Sequence, residues 1–135
     1  DDYGHHPTEI KNVLATARAV GQDRLIVVFQ PHRYTRLKYL QQEFARSLQG
    51  VDHLIITDVY AASEPPLEGV NAQSLCRLVK THIGQDVWYL PQEKIVDHLM
   101  QVTRPHDLVL TLGAGDITQI AHEFSAALNL RTIAT

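Results

Sequence analysis

The segment Asp1-Asp2-Tyr3-Gly4-His5-His6-Pro7 gathers carboxylates, adjacent imidazoles and a proline at the start of a 135-residue chain. Imidazole titrates near neutrality, so His5 and His6 are side chains able to exchange protons near physiological pH. The carboxylates beside them could hold an imidazole tautomer or bind a ribose. Pro7 suits the first turn of a helix, where a backbone N–H would have no partner anyway. Glu9, in the same turn, favours the positive end of the helix dipole. Titratable groups are thus placed at a helix N-terminus, where anions bind readily. The same residues also fit a plain capped helix start with solvated histidines.

Three further segments carry candidate chemistry. Gln30-Pro31-His32-Arg33-Tyr34-Thr35-Arg36 contains an R-x-x-R pair. If the helix starts there, Arg33 and Arg36 share a face, and their guanidinium forks could grip a carboxylate or phosphate bidentately. Solvated arginines are the alternative. Asp58-Val59-Tyr60-Ala61-Ala62-Ser63-Glu64 offers Asp58, which could equally do no more than cap a turn. Gly113-Ala114-Gly115-Asp116 is a glycine-rich turn whose backbone N–H groups can approach an anion, because no Cβ intervenes.

Several functions are disfavoured. The formal charge of −3 comes without a basic stripe, so nucleic acid is not expected as a partner. No apolar run approaches bilayer length, and no signal peptide precedes the first motif. Cys76 is the single cysteine, which fits a reducing cytoplasm; it reads as a small core residue. The Gly113 turn lacks the full dinucleotide fingerprint, and no Gly-rich loop ending in Gly-Lys-Ser/Thr is present to cradle a triphosphate. His53, His82, His98, His106 and His122 show no metal-ligand spacing, and no metal site is expected. His98 and His122 read as helix surface groups.

The elements that must position these motifs alternate. Residues 7–20 read as a helix, with Ile10, Val13, Leu14 and Ala17 on one face and Gly21 as its stop. Leu25–Phe29, Leu54–Thr57, Val87–Leu90 and Leu108–Leu112 read as buried strands. Helices are expected over Tyr34–Leu48, after Asn71 up to Gly84, around Ile95–Val102, and after Gly113 with Ile117, Ile120, Ala121, Phe124 and Leu128 inside. The tail beyond Leu128 is expected to be extended. This alternation predicts one α/β domain over residues 1–135, a three-layer sandwich with a mostly parallel, Rossmann-like sheet. Ligands should then bind at the carboxyl ends of the strands.

Taken in order, Asp1–Glu9, Phe29–Arg36, Asp58–Glu64 and Gly113–Ile117 closely resemble the C-terminal domain of the Mur ligases. The resemblance runs to about Leu128 and is nearest to the branch that joins L-alanine to UDP-N-acetylmuramate in peptidoglycan synthesis. The murein tripeptide recycling branch ranks second, because its second motif lacks the Gln-Pro-His-Arg-Tyr run. A free-standing α/β ligand-binding module and a structural or regulatory domain are the other readings.

The resemblance implies a three-domain cytoplasmic enzyme. An N-terminal domain would bind the UDP-sugar, and a central domain would hold most of ATP and Mg²⁺. This chain, which starts inside its richest motif, would be the third domain, closing on the central one. ATP would convert the muramyl carboxylate to an acyl phosphate, which the amine of L-alanine attacks. His5 and His6 would act on the amine, and His32, Arg33 and Arg36 on the carboxylate. Ala114 and Gly115 would close around the amino acid, and Asp2 would meet the ATP ribose. The resemblance also implies that residues 1–6 are solvent-exposed and mobile when no nucleotide is held, and that the chain alone is inactive.

Overall fold

A computed structural model describes residues 5–83 and 86–134. Helix α1 spans Pro7–Arg18, strand β1 Leu25–Phe29, α2 Tyr34–Ser47 and β2 His53–Ile56. Then come α3 over Ala72–Ile83, β3 over Asp86–Tyr89, a 3₁₀ turn over Gln92–Lys94, α4 over Ile95–Val102, β4 over Leu108–Leu112 and α5 over Thr118–Ala134. The four strands form one sheet in the order β3-β2-β1-β4, and every pairing is parallel.

The pleat sorts the side chains of β1 onto two cores, because successive residues point to opposite faces. Leu25, Val27 and Phe29 join Ile10 and Leu14 of α1, Leu37 and Phe44 of α2, and Leu75 and Val79 of α3. Ile26 and Val28 join Ile95 and Leu99 of α4, and Ile120 and Phe124 of α5. The result is the expected α/β sandwich. Each fully buried Leu, Ile or Phe stabilises it by about 1.5–3 kcal/mol relative to exposure.

The helices begin and end where their sequences dictate. Asn71 Oδ1 accepts the Ser74 N–H at 2.8 Å ahead of α3. Gly50, at φ +82°, turns the chain out of α2 in the left-handed conformation that glycine adopts without strain. The expected stop at Gly84 falls outside the described residues.

Two expectations about the elements need correction. Only β1 and β2 are buried along their length. In β3 Val87 is buried while Asp86 and Trp88 are exposed, and in β4 Leu108, Val109 and Leu110 are half-buried. These strands stand at the two ends of the sheet order, where the helices cover them less completely. The segment after Leu128 is not extended, since α5 continues to Ala134. Nothing in 129–134 breaks a helix, and neither proline nor glycine interrupts it.

The amino edge of the sheet is tied by polar groups. Arg24 donates to both oxygens of Asp107, Nε at 3.1 Å and Nη2 at 2.6 Å. That fork joins the entries of β1 and β4, and it holds the Asp107 carboxyl below its ordinary range.

At the same edge, the expected surface status of His98 gives way to a half-buried imidazole-imidazole contact. His98 Nε2 lies 2.9 Å from Nε2 of buried His53. The ring centroids are 5.1 Å apart with planes within 17°, so the rings meet end to end. His53 Nδ1 faces Asp86 Oδ2 at 2.9 Å, and a carboxylate there requires Nδ1 to donate. In neutral His53, Nε2 is then the acceptor, and His98 supplies the shared proton. Trp88 Nε1 donates to the other oxygen of Asp86 at 2.7 Å.

Candidate active site

The carboxyl edge of the sheet collects three of the sequence motifs and the described part of the opening one, from His5 onward. Here the connections diverge: β1 leads to β2 on one side, while β4 lies on its other side. Such a switch point opens a crevice at the strand ends. Gln30 continues the β1–β4 ladder through its N–H to Leu112 O at 2.9 Å. Beyond β1 and β2, Tyr60 N donates to Pro31 O at 2.9 Å and Arg33 N to Tyr60 O at 2.8 Å. These bonds place His32 beside Tyr60.

His32 is the hub. Its ring lies 5.4 Å from the His5 ring and is stacked on Tyr60 at 5.5 Å with planes 13° apart. Arg36 Nη1 approaches His32 Nδ1 at 3.1 Å. Guanidinium can only donate, so Nδ1 accepts and the free proton of the neutral ring sits on Nε2. Burial, then the charges of Arg36, His5 and Arg33, push the His32 pKa below its ordinary value. His32 therefore offers a neutral N–H donor beside the guanidinium of Arg36, a combination suited to a carboxylate.

The arginines are not on one helical face, as their spacing suggested. Arg33 precedes α2 with φ 70° and ψ 134°, a region that side chains avoid. Arg33 is exposed and Arg36 half-buried, and Arg36 reaches back to His32 instead. The start of α2 is met by Glu64, whose carboxylate accepts the Thr35 N–H at 3.2 Å and the Thr35 hydroxyl at 2.5 Å. The Thr35 hydroxyl bond is the main reason the Glu64 carboxyl is held below its usual range.

His5 and His6 have separate surroundings. His6 is exposed and caps α1: its Nδ1 accepts the Thr8 N–H at 3.2 Å, and Glu9 Oε1 accepts the His6 N–H at 3.2 Å. This reciprocal pair is a capping box built with an imidazole. His5 is half-buried at the His32 ring, against the expectation of exposure for residues 1–6. Asp2 lies outside the described residues.

The turn after β4 holds Ala114 and Gly115, with Tyr60 over it. A Cβ on Gly115 would lie 2.5 Å from Tyr60 Cγ and 2.8 Å from Gln30 Oε1, so only glycine fits. Asp116 Oδ1 accepts from Gln30 Nε2 at 2.7 Å and Gln92 Nε2 at 2.8 Å, and the Gln30 bond leads in holding its carboxyl below the ordinary range. Asp58 Oδ1 accepts the Tyr89 hydroxyl at 2.6 Å, which pushes the Tyr89 pKa up to about 12. Tyr60, Glu64 and Gln30 stood in the quoted motifs without a role. A polar Gln30 ending an apolar strand run was the available signal.

A family model described as "Mur ligase, glutamate ligase domain" matches residues 1–115. This chain belongs to the Mur ligases. A UDP-N-acetylmuramate–L-alanine ligase from Geotalea uraniireducens is 50% identical over 121 residues, covering 89% of this chain and 26% of that protein. One from Syntrophotalea carbinolica is 46% identical over 132 residues, 97% of this chain and 29% of its own. The chain thus spans about a quarter of the curated relatives it matches. Among solved structures, UDP-N-acetylmuramate–alanine ligase from Thermotoga maritima aligns with TM-score 0.74 and 27% identity over 97% of this chain and 26% of that one. A murein peptide ligase from Psychrobacter arcticus aligns with TM-score 0.75 over 95% of this chain and 26% of that one, at 20% identity. That second likeness is one of fold.

Within this Mur ligase domain, no group of three His, Cys, Asp or Glu side chains among the described residues converges to hold a metal ion. No helix among them is long and apolar enough to cross a membrane.

Proposed function

We propose that this chain is the C-terminal, amino-acid-binding domain of a three-domain cytoplasmic ligase that joins L-alanine to UDP-N-acetylmuramate with ATP. The observation that carries the reading is the meeting of His5, His32 and Arg36 at the carboxyl edge. A neutral imidazole N–H and guanidinium donors suit an amino-acid carboxylate, and Arg33 adds a second cation at the rim. His5 is the better placed of the opening histidines to meet the amine, being beside His32; His6 sets the start of α1 and orients its neighbour. Ala114 and Gly115 form the wall across the crevice, and Asp2 is the proposed contact of the ATP ribose.

In the reaction, a muramyl carboxylate oxygen takes the γ-phosphoryl group and ADP departs. The amine nitrogen then bonds to the acyl carbon, phosphate leaves, and the nitrogen gives up a proton. Mg²⁺ supplies charge neutralisation on the phosphates and belongs, with most of the ATP site, to the central domain. This chain's part is to hold the amino acid by its carboxylate and present its amine. The full-length enzyme should release phosphate only when ATP, UDP-N-acetylmuramate and L-alanine are all present. Release that ignores L-alanine would overturn the assignment.

A further inference from the structure

At the end of β1, on the α4 and α5 side, lies a polar group with nothing to bind. Gln30 is 2% exposed, and its Oε1 is buried without a hydrogen-bond partner among the described residues. The orientation of the amide is not arbitrary: Asp116 is a carboxylate and must receive the NH₂ end, so the carbonyl faces the other way. It borders, with Tyr60, the space that a Cβ on Gly115 would fill. The register pairs Phe29 with Ile56, which sets Thr57 beside Gln30, and Thr57 Oγ1 is likewise buried without a partner among the described residues. Leaving buried polar atoms unmet costs stability, and native proteins rarely do so without a use.

We propose that Gln30 Oε1 is the acceptor for the amine of the incoming amino acid, reached when the Tyr60 ring turns off His32. This rests on the ligase reading above and names the group that selects for an amine. Tyr60 is held at its backbone by Pro31 and Arg33, while the residue is 38% exposed, so the ring can turn without moving the loop. A carboxylate arriving at His32 and Arg36 competes with the ring for the same imidazole. Displacing the ring uncovers the carbonyl. A ligand gains both contacts only if it carries a carboxylate and an N–H donor on the same carbon, as an α-amino acid does. Asp116 strengthens the acceptor, because an amide that donates to a carboxylate becomes more negative at its oxygen. An N–H held at Oε1 leaves the nitrogen lone pair pointing away from the crevice floor, free for the acyl carbon.

The test compares L-alanine with propionate, which keeps the carboxylate and lacks the amine, in the full-length ligase. Gln30→Met should raise the KM for L-alanine about ten- to a hundredfold and leave the Ki of propionate against L-alanine within about twofold. Gln92→Met removes the other amide from Asp116 without touching Oε1, and should preserve the alanine-to-propionate ratio. A Gln30→Met enzyme with an unchanged ratio overturns the proposal, as does an equal shift in Gln92→Met. If Gln30→Met does not fold, a crystal structure of the unaltered enzyme with L-alanine decides. An amine nitrogen on Oε1 supports the proposal; a water on Oε1, or Tyr60 still over it, overturns it. An unaltered enzyme that does not use L-alanine at all would instead remove the ligase reading.

Discussion

Arg36 and Arg33 do different things, although their spacing makes them look like a pair. Arg36 is half-buried and holds the His32 tautomer through Nδ1. In the full-length enzyme, Arg36→Ala should weaken amino-acid use by about 2–4 kcal/mol, the scale for removing one partner of a desolvated charge pair. Arg36→Lys should rescue little, because an ammonium cannot bridge an imidazole and a carboxylate as a fork does. Normal alanine kinetics in Arg36→Ala would show that it only buttresses the loop. Arg33 pays for its place in backbone strain, with φ 70° and ψ 134°. Arg33→Gly should stabilise the chain by about 1 kcal/mol, the lower end for such strain, measured by urea unfolding, while raising the KM for L-alanine in the full enzyme. Strain retained at a site rim is understandable if the side chain is needed there. If Arg33→Gly unfolds earlier than the parent, the conformation is not strained and that argument fails.

At the scale of elements, the strands and helices were legible because burial leaves a periodic mark. The runs at Leu25–Phe29 and Leu108–Leu112 are strands with those bounds, since contiguous apolar residues fit a sheet covered on both faces. The sequence could not show that β4 is half-covered along Leu108–Leu110, because strand order decides coverage and order is non-local. For the same reason His53 and His98 looked like scattered polar residues. They are 45 positions apart, and only the crossing of α4 over β2 brings them together. This dyad predicts a pH dependence. Burial, then His53, lowers the His98 pKa below its ordinary value, with Asp86 opposing; His32 is lowered as well. As pH falls through about 6.5, the unfolded chain binds protons that the folded one resists, so stability present above that pH is lost below it. The urea midpoint should fall between about pH 7.5 and 5.5, and by less in His98→Gln. A midpoint that rises on acidification would refute the shared-proton geometry.

For the whole molecule, the two edges of the sheet have separate tasks: polar staples at the amino edge, ligand-facing groups at the carboxyl edge. The chain by itself should show no ligase activity and no tight ATP affinity, since it carries no Gly-Lys phosphate loop. Phosphate release by the 135-residue chain with ATP, UDP-N-acetylmuramate and L-alanine would refute the three-domain reading. The separation has an optical consequence. Trp88, the single tryptophan, has its ring 5.1 Å from that of His98, at the opposite end of the strands from Gln30 and Arg36. An imidazolium in ring contact draws an electron from an excited indole more readily than a neutral imidazole does. Emission from the folded chain should therefore dim as His98 takes up its proton, and an amino acid added at the far edge should leave the signal unchanged.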